Sequence, residues 1–138
     1  ALLVRAGSGI TSLADLKGKK VGVQSGTTGK DYVDSKKPQG VTVIEFEDLA
    51  TEQQALATKQ IAGAVNDLPV WAYYIKNNTG KYEVGAEFNT GEQYGFGIKK
   101  GGNAKLLETV NSVLDTAKSD GTYDALYEKW FGRKPTSK

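Results

Sequence analysis

Two short segments hold the residue types from which a binding site can be built. The first, Val21-Gly22-Val23-Gln24-Ser25-Gly26-Thr27-Thr28-Gly29-Lys30, reads as a strand, a small-residue loop and the start of a helix. Such a junction aims unpaired backbone N–H groups outward, and with the hydroxyls of Thr27 and Thr28 and the positive helix end it favours an anion. A nucleotide phosphate loop would need Gly at Gln24 and Ser or Thr at Asp31. Asp31 repels phosphate and offers no hydroxyl to magnesium, so a carboxylate is the better anion; a tight turn with capping threonines is the bland alternative. The second segment, Asn66-Asp67-Leu68-Pro69, is a strand-to-helix junction. Asp67 there either caps the helix or holds an ammonium, because the carboxyl ends of parallel strands are where open α/β sheets place ligands. An anion site near Thr28 and a cation site near Asp67 on one sheet edge would suit a zwitterion.

Composition narrows the chemistry. The 138 residues contain no Cys and no His, which removes disulfides, thiolate metal sites, the Cys nucleophile and the commonest general base. No cofactor or metal site is expected. Eighteen Lys and Arg against sixteen Asp and Glu give a formal +2, without the basic cluster that nucleic acid or an anionic membrane would require. The longest apolar runs, such as 1–4 and 70–72, fall far short of the roughly 20 residues of a spanning helix. Glu45, Glu47 and Asp48 form a solvated acidic face, and Trp71-Ala72-Tyr73-Tyr74 reads as helix packing with two rings at the surface.

Short strands alternating with helical segments must position these residues, the pattern of an α/β domain with a mostly parallel sheet flanked by helices. Strands are expected at 1–4, 20–24, 41–46 and 61–65, with further extended segments at 81–84 and 93–99. Thr11 or Ser12 caps a short helix ended by Gly18, Thr51 caps a helix with Leu49, Ala55 and Leu56 on its apolar face, and Trp71, Tyr74 and Ile75 form the stripe of the next. Two amphipathic helices follow. Leu106, Leu107, Val110, Val113, Leu114 and Ala117 share one face from 103 to about 118, and Tyr123, Leu126, Tyr127, Trp130 and Phe131 recur at spacings of three and four. A dividing line near Gly101-Gly102 separates a unit over 1–100 from one over 101–138.

In order and spacing these junctions resemble the second lobe of a bacterial amino-acid solute-binding protein, the family 3 receptor of a polar amino-acid ABC transporter. The resemblance rests on Leu2-Leu3-Val4-Arg5, the run from Ile10 to Gln24, Ser25-Gly26-Thr27-Thr28-Gly29, Asn66-Asp67-Leu68-Pro69-Val70, Glu92-Gln93-Tyr94-Gly95 and the stretch from Asp120 to Gly132. It implies a periplasmic-binding-protein-like type II lobe, with crossover strands near 2–5 and 94–97, and C-terminal helices that pack on lobe one. Most of lobe one, with the arginine that grips the ligand carboxylate, has no counterpart here. Carried over residue by residue, Thr28 meets the α-carboxylate, Asp67 pairs with the α-ammonium, and Gln24 approaches the ligand side chain, with Thr27 and Gly29 beside it. The family often has Gly where Lys59 stands and Asp where Ala62 stands. A polar or basic amino acid such as glutamine or arginine, an ABC permease and an extracytoplasmic setting follow from the resemblance. Two other readings stay open: an isolated or split lobe that binds nothing alone, whose stripe of Leu126, Tyr127, Trp130 and Phe131 packs on lobe two, self-associates or remains exposed, and a lyase or dehydratase on the same fold with Asp67 or a nearby Glu as base.

Overall fold

A computed structural model describes residues 1–136, in two compact units that meet in sequence between Phe88 and Asn89. The boundary therefore falls earlier than the 100/101 division that the glycine pair suggested.

In the first unit β1 (Leu2–Arg5) buries Leu2, Leu3 and Val4 completely, the mark of a strand covered on both faces. After a 3-10 turn (Ala14–Leu16) come β2 (Lys20–Gln24), α1 (Thr28–Lys36), β3 (Thr42–Phe46), α2 (Leu49–Ala57), β4 (Gly63–Val65), α3 (Leu68–Asn77) and β5 (Tyr82–Ala86). The strands form one sheet in the order β3-β2-β4-β1-β5. Pairings of β2 with β3 and β4 are parallel, while β1 runs antiparallel to both β4 and β5. The sheet is thus mixed but mostly parallel in direction: β2, β3, β4 and β5 run one way, and β1 enters between β4 and β5 from the opposite direction, a non-local placement that local periodicity does not encode.

Alternation along the strands splits the core between two faces. Leu2, Val4, Val21, Val23 and Val65 meet Val33 of α1 with Ile10, Leu13 and Leu16 on one side; Leu3, Ala64 and Ile61 meet Ala55 and Leu56 of α2 and Trp71 of α3 on the other. Arg5 locks the second layer, its Nη1 donating to the carbonyls of Leu56 at 2.8 Å and Ile61 at 3.0 Å.

Two expected caps are replaced by stronger acceptors nearby. Asp48, not Thr51, caps α2: its Oδ1 accepts from the Thr51 N–H at 2.9 Å. Near the 3-10 turn, Thr11 and Ser12 act as donors to Asp15 Oδ2, which also accepts the Thr11 N–H at 3.0 Å. A carboxylate outcompetes a hydroxyl as an acceptor.

The second unit, from Asn89 onward, contains α4 (Ala104–Ser119) and α5 (Thr122–Phe131), close to the ranges their periodicity predicts. Asn103 Oδ1 caps α4 through the Leu106 N–H at 3.1 Å. Residues 93–99 join no ladder, and Tyr94 and Phe96 are exposed. Neither helix buries a residue fully; Leu106, Leu107, Val113, Leu126 and Trp130 remain exposed.

Candidate functional site

Because β2 and β4 run parallel with Val23 opposite Val65, Gln24 and Asn66 leave the sheet side by side at its carboxyl edge. Asn66 Nδ2 donates to Gln24 Oε1 at 3.3 Å. Thr27 is the N-cap of α1: its Oγ1 accepts the Lys30 N–H at 3.2 Å and donates to the Gln24 carbonyl at 2.8 Å, which fastens the helix start to the strand end. Thr28 opens the helix and is exposed. The N–H groups of Thr28 and Gly29 belong to the first turn, where no preceding helical carbonyl reaches them. A Cβ on Gly29 would stand 3.6 Å from both Thr27 Oγ1 and the Val65 carbonyl, so this helix end lies against the end of β4.

The Lys30 ammonium is already engaged by Asp34 at 2.8 Å and Glu45 at 3.5 Å. Hydrogen bonds from Lys30 and Lys37 in turn hold the Asp34 carboxyl down at about 2. An anion at this edge would therefore be attracted by the helix end and the Thr28 hydroxyl, the Thr27 hydroxyl being spent on the Gln24 carbonyl.

Asp67 occupies the N-cap position of α3 but its side chain makes no cap hydrogen bond. The turn is held instead by Asn66 Oδ1, which accepts the Asp67 N–H at 2.8 Å, and by Pro69 in the first helical turn. The structure thus brings Gln24, Thr27, Thr28, Gly29 and Asp67 to one sheet edge, with helix-end donors on one side and a half-buried carboxylate on the other.

Two residues of this region escape a reading of motifs. Asn66 links Gln24 to the Asp67 turn, and Glu52 of α2 is completely buried. Burial pushes the Glu52 carboxyl up to about 8, a rise that the Asn66 amide and the Val65 main chain only partly counter. The available signal was its spacing: Glu52 lies three residues from Leu49 and Ala55 and four from Leu56, on the apolar face of its helix. Glu45 meets Ser25 and Lys30, Asp48 caps α2, and among the described residues no cluster of three acidic side chains is placed to hold a metal. Among them, too, no helix is long and apolar enough to cross a membrane.

Comparison with known proteins identifies the family. Residues 1–133 match the family described as bacterial extracellular solute-binding proteins, family 3. The glutamine-binding protein GlnH of a Bacillus subtilis ABC transporter is 35% identical over 136 residues, covering 98% of this chain and 49% of its own length. Among solved structures, an ancestral arginine-binding protein bound to glutamine is 41% identical with a TM-score of 0.72, over 96% of this chain and 59% of that one. The second substrate-binding domain of Lactococcus lactis GlnP, in an open conformation, is 32% identical with a TM-score of 0.78, over 97% and 58%. The chain spans about half the length of the curated relatives it matches. With the family matched over nearly all of its residues, the chain belongs to the bacterial extracellular solute-binding proteins of family 3.

Proposed function

We propose that this chain is the amino-acid-binding second lobe of an extracytoplasmic receptor that delivers a polar or basic L-amino acid to an ABC permease, without catalysis. The observation that carries the reading is the shared sheet edge: the α1 start at Thr28 and Gly29 for an α-carboxylate, Asp67 at the head of α3 for an α-ammonium, and Gln24 between them for the side chain. Thr27 holds that edge together. Relatives named for glutamine, arginine and cystine binding support an amino acid as the ligand. The exposed apolar residues of α4 and α5 are assigned to packing against lobe one, either from the same polypeptide or from a second chain.

Calorimetry on the chain joined to a first lobe, titrated with glutamine, arginine, lysine, histidine and glutamate, tests the reading. One of these amino acids binds, and Asp67→Ala weakens that binding by about 2–5 kcal/mol, the usual cost of removing one partner of a desolvated ion pair. Thr28→Ala costs less, because its backbone donor survives. Affinity unchanged by Asp67→Ala would remove Asp67 from the site.

A further inference from the structure

Glu52 is the one charged residue in the buried core among the described residues. Helix α2 directs it at the place on the sheet where Gly22 leaves room: a Cβ on Gly22 would stand 3.2 Å from Glu52 Cγ, 3.1 Å from the Phe46 ring and 2.5 Å from Ile61 Cδ1. Neither carboxyl oxygen has a partner in hydrogen-bonding geometry. The cation of this layer, Arg5, is spent on the carbonyls of Leu56 and Ile61 and does not reach the Glu52 oxygens. Gly22 comes from β2, Phe46 from β3 and Ile61 from the turn before β4; Trp71 of α3 packs with the neighbouring Ala55 and Leu56. The polar groups that bear on the carboxyl are the Asn66 amide and the Val65 main chain, both uncharged.

Asn66 connects this buried carboxyl to the sheet edge. Its Oδ1 accepts the Asp67 N–H, an unambiguous donor that fixes which end of the amide is which. Nδ2 gives one hydrogen to Gln24 Oε1 and has a second for the Glu52 carboxyl beside it. Strand alternation agrees: Gln24 lies two residues beyond Gly22, on the same side of the sheet as α2.

We propose that Glu52 is a positioning residue of the amino-acid site, acting through Asn66 on Gln24 and on the Asp67 turn, and that its proton couples ligand binding to pH. The proposal rests on reading Gln24 and Asp67 as ligand contacts. Protonated, the carboxyl fits its apolar surroundings; ionised, it is a buried charge with no ionic partner, and recruiting the second Nδ2 hydrogen shifts the Asn66 amide against its 3.3 Å bond to Gln24. Burial sets the switch at about 8, the mildly alkaline range.

The test has two parts. Carbon-13 NMR of the Glu52 carboxyl from about pH 5 to about pH 10 is followed together with the side-chain amide signals of Asn66 and Gln24 in the 138-residue chain. All three share one midpoint near 8, and the amide signals lie flat in Glu52→Gln. Amide signals that stay still while Glu52 ionises, or a Glu52 midpoint in the ordinary carboxylate range, overturn the proposal. Calorimetry with L-glutamine on the chain joined to a first lobe then compares wild type with Glu52→Gln, which shares the ligand's own titration. Wild-type affinity falls about tenfold more than the variant's by about pH 9, the reduction expected when about a tenth of the protein keeps the proton. Equal pH dependence in both overturns the coupling. If no amino acid binds but the amide signals move with Glu52, the ligand reading falls and the Glu52–Asn66–Gln24 link stands.

Discussion

Helices α2 and α3 of the first unit and α4 and α5 of the second carry the same kind of apolar stripe, yet they reach opposite outcomes. Ala55, Leu56 and Trp71 are buried against a sheet whose Leu3, Ala64 and Ile61 supply the other half of the layer. In the second unit Leu106, Leu107, Val113, Leu126 and Trp130 stay exposed, although α4 and α5 touch and the Tyr127 and Phe131 rings approach to 4.5 Å. An amphipathic pattern states which face of a helix is apolar; burial needs a second layer of comparable area, which two helices of 16 and 10 residues do not give each other.

The largest expected effect tests that contrast directly. Trp71→Ala removes a fully buried indole and costs about 3–5 kcal/mol, whereas Val113→Ala, at 61% exposure, changes stability by no more than about 0.5 kcal/mol. Urea unfolding of the 138-residue chain, followed by circular dichroism, reads both. A cost above about 2 kcal/mol for Val113→Ala would break the comparison, because it would mean that this face of α4 is covered in solution.

Buried and exposed carboxyl groups also answer differently to pH. Glu52 titrates at about 8 in the fold against an ordinary 4.5. Between those values the folded chain keeps a proton that the unfolded chain has released, so stability falls as pH rises through this window. The contribution is complete below the lower value and lost above the higher one, and at neutral pH the loss is about 3 kcal/mol. At exposed carboxylates the sign reverses, in the first unit at Asp34 and in the second at Asp120. Asp120 is lowered by its hydrogen bonds to Thr122, so what it contributes is present above its unfolded pKa and lost as pH falls. Glu52→Gln has no proton to lose, and its advantage over wild type in urea should grow steadily as pH rises from about 5 to about 8. Parallel curves for the two proteins would show that Glu52 is not buried as an acid.

Much of this contrast can be read in the sequence, and the gaps have physical causes. The stripes of α4 and α5 fixed their boundaries to within a residue or two, since helix periodicity is local. Residues 93–99 read as an extended segment, yet a strand requires a neighbour to pair with, and none joins them in a ladder. The direction of β1 was hidden for the same reason: its partners Val65 and Ala86 are distant in sequence. At the candidate site, Gln24, Thr28 and Asp67 stood out as polar residues at strand ends. Asn66 and Glu52 did not, because an Asn beside an Asp looks like an ordinary turn and a lone Glu in a helix looks solvated until its spacing from Leu49, Ala55 and Leu56 is counted.

The smallest effect concerns how α2 stops. Its last turn closes with the Lys59 N–H on the Leu56 carbonyl at 3.3 Å and the Gln60 N–H on the Ala55 carbonyl at 2.9 Å, the paired bonds of a Schellman ending. That ending needs a left-handed residue, and Lys59, at φ 64°, is the only non-glycine with positive φ among the described residues. In the second unit, α5 meets the same need with Gly132 at φ 71°. Glycine at this position would meet the need without penalty, whereas Lys59 bears the clash of its Cβ with the following carbonyl. Lys59→Gly relieves that clash but adds freedom to the unfolded chain, which leaves a net gain of about 1 kcal/mol or less. A rise of a few degrees in the thermal midpoint would show that the turn delivering Ile61 to the core is strained by this one side chain. A fall would show that the lysine stem protects the carbonyls of Leu56 and Ala55 by more than its backbone costs.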